Sequence, residues 1–311
     1  MTDTTNREVI KLQPSVEEQL KRQRVADITS TVVKYTFLGI FALFIIIPFY
    51  WMLSLSVRTA AETGSGHLAF FPQSFTLQNY VDAINPQTTN LLRAFANTIV
   101  VGVFSTLLGT IVSIFAGFAL GRLSFPGRDT VFMILLATMM IPGEMMVLTN
   151  YTTVNKLGWN ATMAQADFTT GPYMAMIFPF LVSVFHIYLL RNNFKQIPDE
   201  LYLAAKVDGT SDLKYLRKVM IPMASSSLIS IIIMKLIGSW NAYAWPNLVG
   251  GSEEYGLVTA VLKNGFADAS GRSNPALQMA AVVWVVAPLL IVFVIFRKYI
   301  MRGVSRSGTK G

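Results

Sequence analysis

Six stretches of this chain are apolar enough, and long enough, to cross a lipid bilayer, and that leaves few folds open to it. A spanning helix needs about 20 mostly apolar residues. Windows near 34–57, 95–120, 129–149, 172–190, 223–247 and 277–297 meet that need. Inside lipid every backbone N–H and C=O must be paired within the protein, so windows of this length imply helices. Composition agrees, because 311 residues that are 53% apolar, 14% charged and of positive mean hydropathy do not make a soluble domain. Pro142 and Pro179 fall within the third and fourth windows, where neighbouring helices tolerate proline. The expected fold class is an all-α membrane protein with six transmembrane helices.

Orientation follows from Lys and Arg. With six spans, one side holds Arg7, Lys11, Lys21, Arg22, Arg24 and Lys34, then Arg122 and Arg128 between spans two and three. The same side holds Arg191, Lys195, Lys206, Lys214, Arg217 and Lys218 between spans four and five, and Arg297, Lys298, Arg302, Arg306 and Lys310 at the end. The other side holds only Arg58, Arg93, Lys156, Lys263 and Arg272, with Lys235 left inside a span. Positive charge collects on cytoplasmic loops, which puts both termini in the cytoplasm. Topology therefore accounts for the net charge of +8, and nucleic acid is not needed as a partner. The expected parts are a cytoplasmic segment 1–33, a six-helix domain 34–300 and a cytoplasmic tail 301–311. More than thirty residues, many charged, precede the first window, which argues against a cleaved signal peptide. Pro14 to Ile28 reads as a short surface helix.

Enzymatic chemistry is hard to find. Without cysteine there is no disulfide framework, thiol nucleophile or thiolate metal site. The tail Gly303–Lys310 ends Thr-Lys, the reverse of a phosphate-binding Gly-Lys-Ser/Thr, with no flanking strand or helix expected. His67 and His186 are expected on opposite sides, His186 near the inner end of span four, so neither a metal site nor a Ser–His pair is expected. No cofactor is expected. Ionisable groups inside the spans are few, among them Lys235 at mid-span and Glu144 toward the outer end of span three. A charge at that depth costs about 2.5–3.5 kcal/mol on insertion scales, so Lys235 faces either a cavity or a companion subunit. No relay of carboxylates points to proton coupling. The outer segment Leu68–Tyr80 carries aromatics that suit either the membrane interface or an outside protein.

One polar loop, residues 195–222, stands out between spans four and five. Pro198 suits the first turn of a helix, where its missing N–H would be unpaired anyway. Asp199 and Glu200 place negative charge at the positive end of the helix dipole. Gly209 can take the left-handed conformation that ends a helix, with Asp208 before it. Ser211 then caps a second helix, Asp212 to Met220, which Pro222 closes. Ala204, Ala205 and Gly209 let another backbone approach closely. Such a loop suits docking onto something soluble.

The pattern I-P-x-E-L…A-A-x-x-D-G…P over 197–222 resembles the "EAA" coupling loop of permease subunits in binding-protein-dependent ABC importers. Gly238-Ser239-Trp240-Asn241-Ala242-Tyr243-Ala244-Trp245-Pro246 resembles the W-N…W-P segment of the maltose-type sugar permeases, as do Arg122–Arg128, the outer Phe-Pro…Thr-Leu…Asn-Tyr segment and the Lys310-Gly311 ending. The resemblance covers about residue 34 onward. It implies the type I ABC importer permease fold in a bacterial inner membrane, multi-pass. It also implies a non-catalytic subunit that partners a second permease, a dimer of cytoplasmic ATPases and an extracytoplasmic solute-binding protein. The coupling residues it implies are Glu200, Leu201, Leu203, Ala204, Ala205, Asp208 and Gly209. One departure matters: the family's acidic residue before the paired alanines is Leu203 here. Contact must then run through Glu200 or Asp208, or through the apolar Leu201, Tyr202 and Leu203.

For the substrate pathway the resemblance points to Trp240, Asn241, Tyr243 and Trp245, whose aromatic faces and amide suit sugar rings and hydroxyls; Lys235 is added for its charge at mid-span. The same aromatics also suit an interfacial belt. An oligosaccharide or related sugar is the implied substrate. Two alternatives are an acidic sugar or glycerophosphate, whose charge Lys235 would offset, and a non-transporting scaffold that docks an ATPase.

Overall fold

The computed structural model describes residues 16–64, 69–160, 170–250, 254–264, 266 and 274–305. Among them every regular element is helical. The chain divides into two units, 1–54 and 55–311.

The first unit contributes α1 (Val16–Ser56), apart from its last two residues. No Gly or Pro falls between Val16 and Leu38, so nothing stops the helix between the polar N-terminal residues and the first apolar window. The separate surface helix expected to end at Ile28 is therefore the start of a single rod. Its Pro14 lies outside the described residues.

In the second unit, α2 (Ala60–Gly64) and α3 (Gln78–Ile84) flank the outer segment. Then come α4 (Leu91–Gly121), α5 (Arg128–Thr138), α6 (Val147–Lys156), α7 (Gly171–Ile177) and α8 (Val184–Lys195). The polar loop carries α9 (Asp199–Val207), α10 (Asp212–Tyr215) and α11 (Ile221–Met223), the last two joined by a π turn over Leu216–Met220. The chain continues through α12 (Ser225–Trp240), α13 (Ala244–Gly250), α14 (Val258–Asn264) and α15 (Pro275–Ser305).

Among the described residues three helical stretches are long and apolar enough to cross a membrane: Gln19–Ser56, Leu91–Gly121 and Pro275–Arg297. The other windows correspond to helix pairs bent by 88° (Arg128–Thr138 with Gly143–Lys156), 50° (Gly171–Phe180 with Val184–Lys195) and 82° (Asp212–Met223 with Ser225–Trp240). Counting each pair as one span gives up to six. The prolines do more than was expected of them. Pro142 sits in extended geometry where α5 gives way to a short 3-10 turn, and Pro179 lies in the 3-10 turn between α7 and α8. A ring that removes an N–H and crowds the preceding turn breaks the helix at both places. Pro222, by contrast, does not close its helix. The run continues to Met223, and the chain turns at Ala224, with φ −92° and ψ 10°. At the other end α15 leads into the tail as a helix as far as Ser305, a flank that was not expected; residues 306–311 lie outside the described residues.

Helix α4 is the centre of the second unit, packed against α8 and α12. Gly102, Ser105, Gly109, Ser113, Gly117 and Gly121 recur at spacings of three and four, so they lie on one face. Small residues there let backbones approach closely, the usual basis of helix association in lipid. A Cβ on Gly117 would lie 2.9 Å from Leu190 Cβ and 3.3 Å from the Arg191 backbone nitrogen. At the outer segment Arg58, fully buried, donates to Ala69 O at 2.6 Å and pairs with Glu62 at 3.0 Å. Asn79 donates to Ser56 O and Arg58 O, and Glu62 accepts from the backbone of Gln73 and Ser74. That knot leaves Phe70, Phe71 and Phe75 exposed.

Candidate functional site

The polar loop ends its first helix as its residues require. Gly209 has φ +69°, and its N–H donates to Lys206 O at 3.0 Å, while Thr210 N–H reaches Ala205 O at 2.8 Å. This pair of bonds is the Schellman arrangement, in which a left-handed residue satisfies the last carbonyls of a helix. Ser211 occupies the N-cap position of α10, but its side chain makes no capping bond. Asp212 takes over the local organisation. Its Oδ1 accepts from the Tyr202 hydroxyl at 2.7 Å and pairs with Lys206 Nζ at 2.7 Å. The Tyr202 ring meets Tyr215 at 5.1 Å. Asp212 also raises the Lys206 pKa, by hydrogen bonding to its charged form, and burial first and then this bond raise that of Tyr202.

One arginine fastens the loop to the bundle, and a second braces the helices behind it. Arg122, buried at the end of α4, donates through Nη2 to Phe194 O at 2.7 Å and Ile197 O at 2.6 Å, and its Nη1 pairs with Asp199. Arg191, buried on α8, donates through Nε to Leu120 O at 3.1 Å and through Nη2 to Asp129 at 2.9 Å. Its guanidinium lies 3.7 Å from the centre of the Phe132 ring. Beneath the loop, Phe194, Ile197, Tyr215, Leu216 and Met220 form one buried cluster with Phe118 and Leu190. The helix is held from below and open above.

The open face carries Glu200, Leu203, Ala204 and Val207, spaced three and four apart, with Leu203 62% and Val207 89% exposed. Leu201, Asp208 and Gly209 are also exposed, and Ala205 is half-buried against the cluster. Tyr202, offered above as an apolar contact, turns inward instead. Its hydroxyl finds Asp212, which an outward ring would leave to Lys206 alone.

A cavity of about 570 Å³ opens where α7 breaks from α8, against α4, α12 and α13. Lys235, Tyr243 and Trp245 line it, together with His186, Ser183, Ser105, Ser239 and Phe180. Trp240 and Asn241 do not. Trp240 is buried among Ala83, Phe95 and Val258, and Asn241 is exposed in the turn after α12. Trp245 gives its indole N–H to Ala175 O at 2.9 Å and meets Phe180 edge-on at 5.5 Å, so it offers the cavity ring surface only. Lys263 Nζ lies 4.3 Å from the centre of the Tyr243 ring. His186 lies at the break between α7 and α8, in mid-pair, because α8 runs on to Lys195. Sequence reading missed Arg122, Arg191, Asp129 and His186 as site residues. The only trace was Arg122 within the Arg122–Arg128 motif.

Residues 109–306 match the family described as binding-protein-dependent transport system inner membrane component. The chain belongs to that family. It is a multi-pass membrane protein, as the apolar helices of this permease family require. Among its relatives, the inner membrane ABC transporter permease protein YcjP of Escherichia coli K12 is 28% identical over 89% of this chain and 95% of its own length. The arabinooligosaccharides transport system permease protein AraQ of Halalkalibacterium halodurans is 27% identical over 90% of this chain and 95% of its own. A solved bacterial ABC transporter that imports the acidic polysaccharide alginate has a chain 25% identical to this one, covering 88% of it and 97% of that chain, with a TM-score of 0.77. These matches bear out the permease resemblance and the type I permease fold.

Proposed function

We propose that this chain is one of two permease subunits that enclose the pathway of an ATP-driven importer for an oligosaccharide or related sugar. In this reading the protein has six spans with both termini in the cytoplasm, and residues 195–222 dock on an ATPase that this chain does not contain. The sugar substrate is supported by the relatives, one named for arabinooligosaccharides and one for alginate. The observation that carries the coupling role is the combination of an exposed helix face on α9 with the buried Arg122 that ties its start to α4 and α8. ATP binding closes the ATPase dimer and displaces α9. Because Arg122 and the cluster under Tyr215 hold α9 to α4 and α8, the displacement moves the bundle and opens the cavity to one side or the other. Extracytoplasmic binding protein delivers the sugar.

Gly209→Pro tests this. It removes the N–H that bonds Lys206 O and cannot adopt the positive φ, so the end of α9 must rearrange while the spans do not. Expected in vesicles holding the whole transporter are normal membrane insertion and ATP hydrolysis no longer linked to uptake. Normal coupled uptake in this variant refutes the coupling role of the loop.

A further inference from the structure

We infer that the cavity is an anion subsite, so that the transported solute carries a carboxylate or phosphate on a polyol or sugar frame. The inference rests on the proposed function, which supplies the pathway, and deepens it by naming the charge of what passes.

Lys235 is only 9% exposed, at the wall of the cavity, and among the described residues its ammonium reaches just one oxygen, Leu181 O at 3.5 Å. That carbonyl is free to accept because the Pro179 turn interrupts the helix there. No Asp or Glu is among the described residues lining the cavity. Its polar lining consists of Lys235, His186, three serines and Tyr243, all able to donate hydrogen bonds. His186 Nδ1 is buried with no partner among the described residues. Gly109 makes room for the cation, since a Cβ there would lie 2.3 Å from Lys235 Nζ. A cation brought into a span at several kcal/mol needs a compensating charge, and the donors around it point to one that arrives with the solute. The cavity is also large enough to hold a mono- or disaccharide with such a group (small-ligand pockets run from about 300 Å³ upward).

This chain has no cysteine, so a thiol introduced into it is compared, in the assembled transporter, with the labelling of the parent. Ser239→Cys puts a thiol in the cavity wall, and Gln87→Cys puts one in the exposed turn after α3, away from the docking face, as the reference. Each is titrated with an anionic sulfonatoethyl and a cationic trimethylammonioethyl methanethiosulfonate of similar size. The expected anion-to-cation rate ratio at Ser239→Cys exceeds that at Gln87→Cys by about fivefold or more, and falls to near the reference when Lys235→Gln is added. A ratio that does not exceed the reference means that a companion subunit neutralises Lys235, and it overturns the inference. So does a ratio that survives Lys235→Gln. Uptake competition by digalacturonate, glycerol 3-phosphate and maltotriose then separates carboxylate, phosphate and neutral frames. Preference for maltotriose, unaltered by Lys235→Gln, also overturns it. If no sugar or phosphate stimulates ATP hydrolysis by the complete transporter, the importer reading itself fails, whatever the thiol ratios.

Discussion

Arg122→Met separates two ways in which the loop could be fastened. Arg122 makes two hydrogen bonds to main-chain oxygens, Phe194 O and Ile197 O, and an ion pair with Asp199. Bonds from a charged donor contribute about 1.5–3 kcal/mol each. The Asp199 side chain is 84% exposed, so its pairing adds only about 0–1 kcal/mol. Against these stands the buried Arg122 Nε, without a partner among the described residues, which costs about 1–3 kcal/mol. The net is about 3 kcal/mol, or roughly two decades in the local opening equilibrium. Methionine keeps the length and apolar stem and removes the donors. Hydrogen exchange of the α9 amides from Leu203 to Thr210, followed in the purified transporter, should therefore speed up about a hundredfold. Exchange in α12 should not change. Asp199→Asn should alter the same amides by less than about threefold. Equal effects from the two variants, or no effect from Arg122→Met, would show that the ion pair or the apolar cluster holds the loop and that the carbonyl bonds do not.

Two further outcomes rest on other contacts. Gly117→Val places a branched side chain against Leu190 Cβ and the Arg191 main chain, which cannot yield, so the variant should lose about 1–3 kcal/mol or more and melt several degrees lower in detergent. Gly143→Ala, with nothing within 4 Å of its new Cβ, is the control and should melt as the parent does. At the outer segment Glu62 is held below its ordinary value of 4.5, first by the Ser74 hydroxyl, then by the backbone of Gln73 and Ser74 and by Arg58. A depressed carboxylate stabilises fully above its unfolded value, and this contribution vanishes as pH falls through the lower folded value. Proteolysis within residues 60–80 should rise on that acid side, and Glu62→Gln should flatten the dependence. A dependence unchanged in Glu62→Gln assigns it elsewhere.

Much of the loop could be read in one dimension because its signals are local. Pro198, Asp199, Glu200, Asp208 and Gly209 act within a turn of their own positions, and the structure places the α9 boundaries beside them. Neither the fastening nor the brace behind it could be read that way. Arg122 and Asp199 are 77 positions apart, and Arg191 and Asp129, which tie α8 to α5, are 62 apart. Near the ends of apolar windows, such arginines look like any basic residue that orients a span. Their burial is visible only after α4 and α8 are set side by side. The glycines of α4 show the same limit. A face of small residues is present in the sequence, yet it lies within an apolar run whose length alone was enough to fix its reading as a span.

The candidate pathway shows why neighbours along a chain need not share a site. Lys235 and Trp240 are five residues apart on one helix, about 140° around its axis at 100° per residue. One therefore faces the cavity while the other packs against α4 and α15. Trp245 returns to the cavity because the chain turns at Asn241 and begins a new helix with a new phase. The W-N…W-P segment is thus split by a turn, with Trp240 packed in the bundle and Tyr243 and Trp245 facing the cavity. Lys235 gains its surroundings from elsewhere: a proline break on one side frees Leu181 O, and a residue without a side chain, Gly109, leaves the volume its ammonium fills. A costly cation, an opened helix and a missing side chain at one point converge on a charge that none of the described residues supplies.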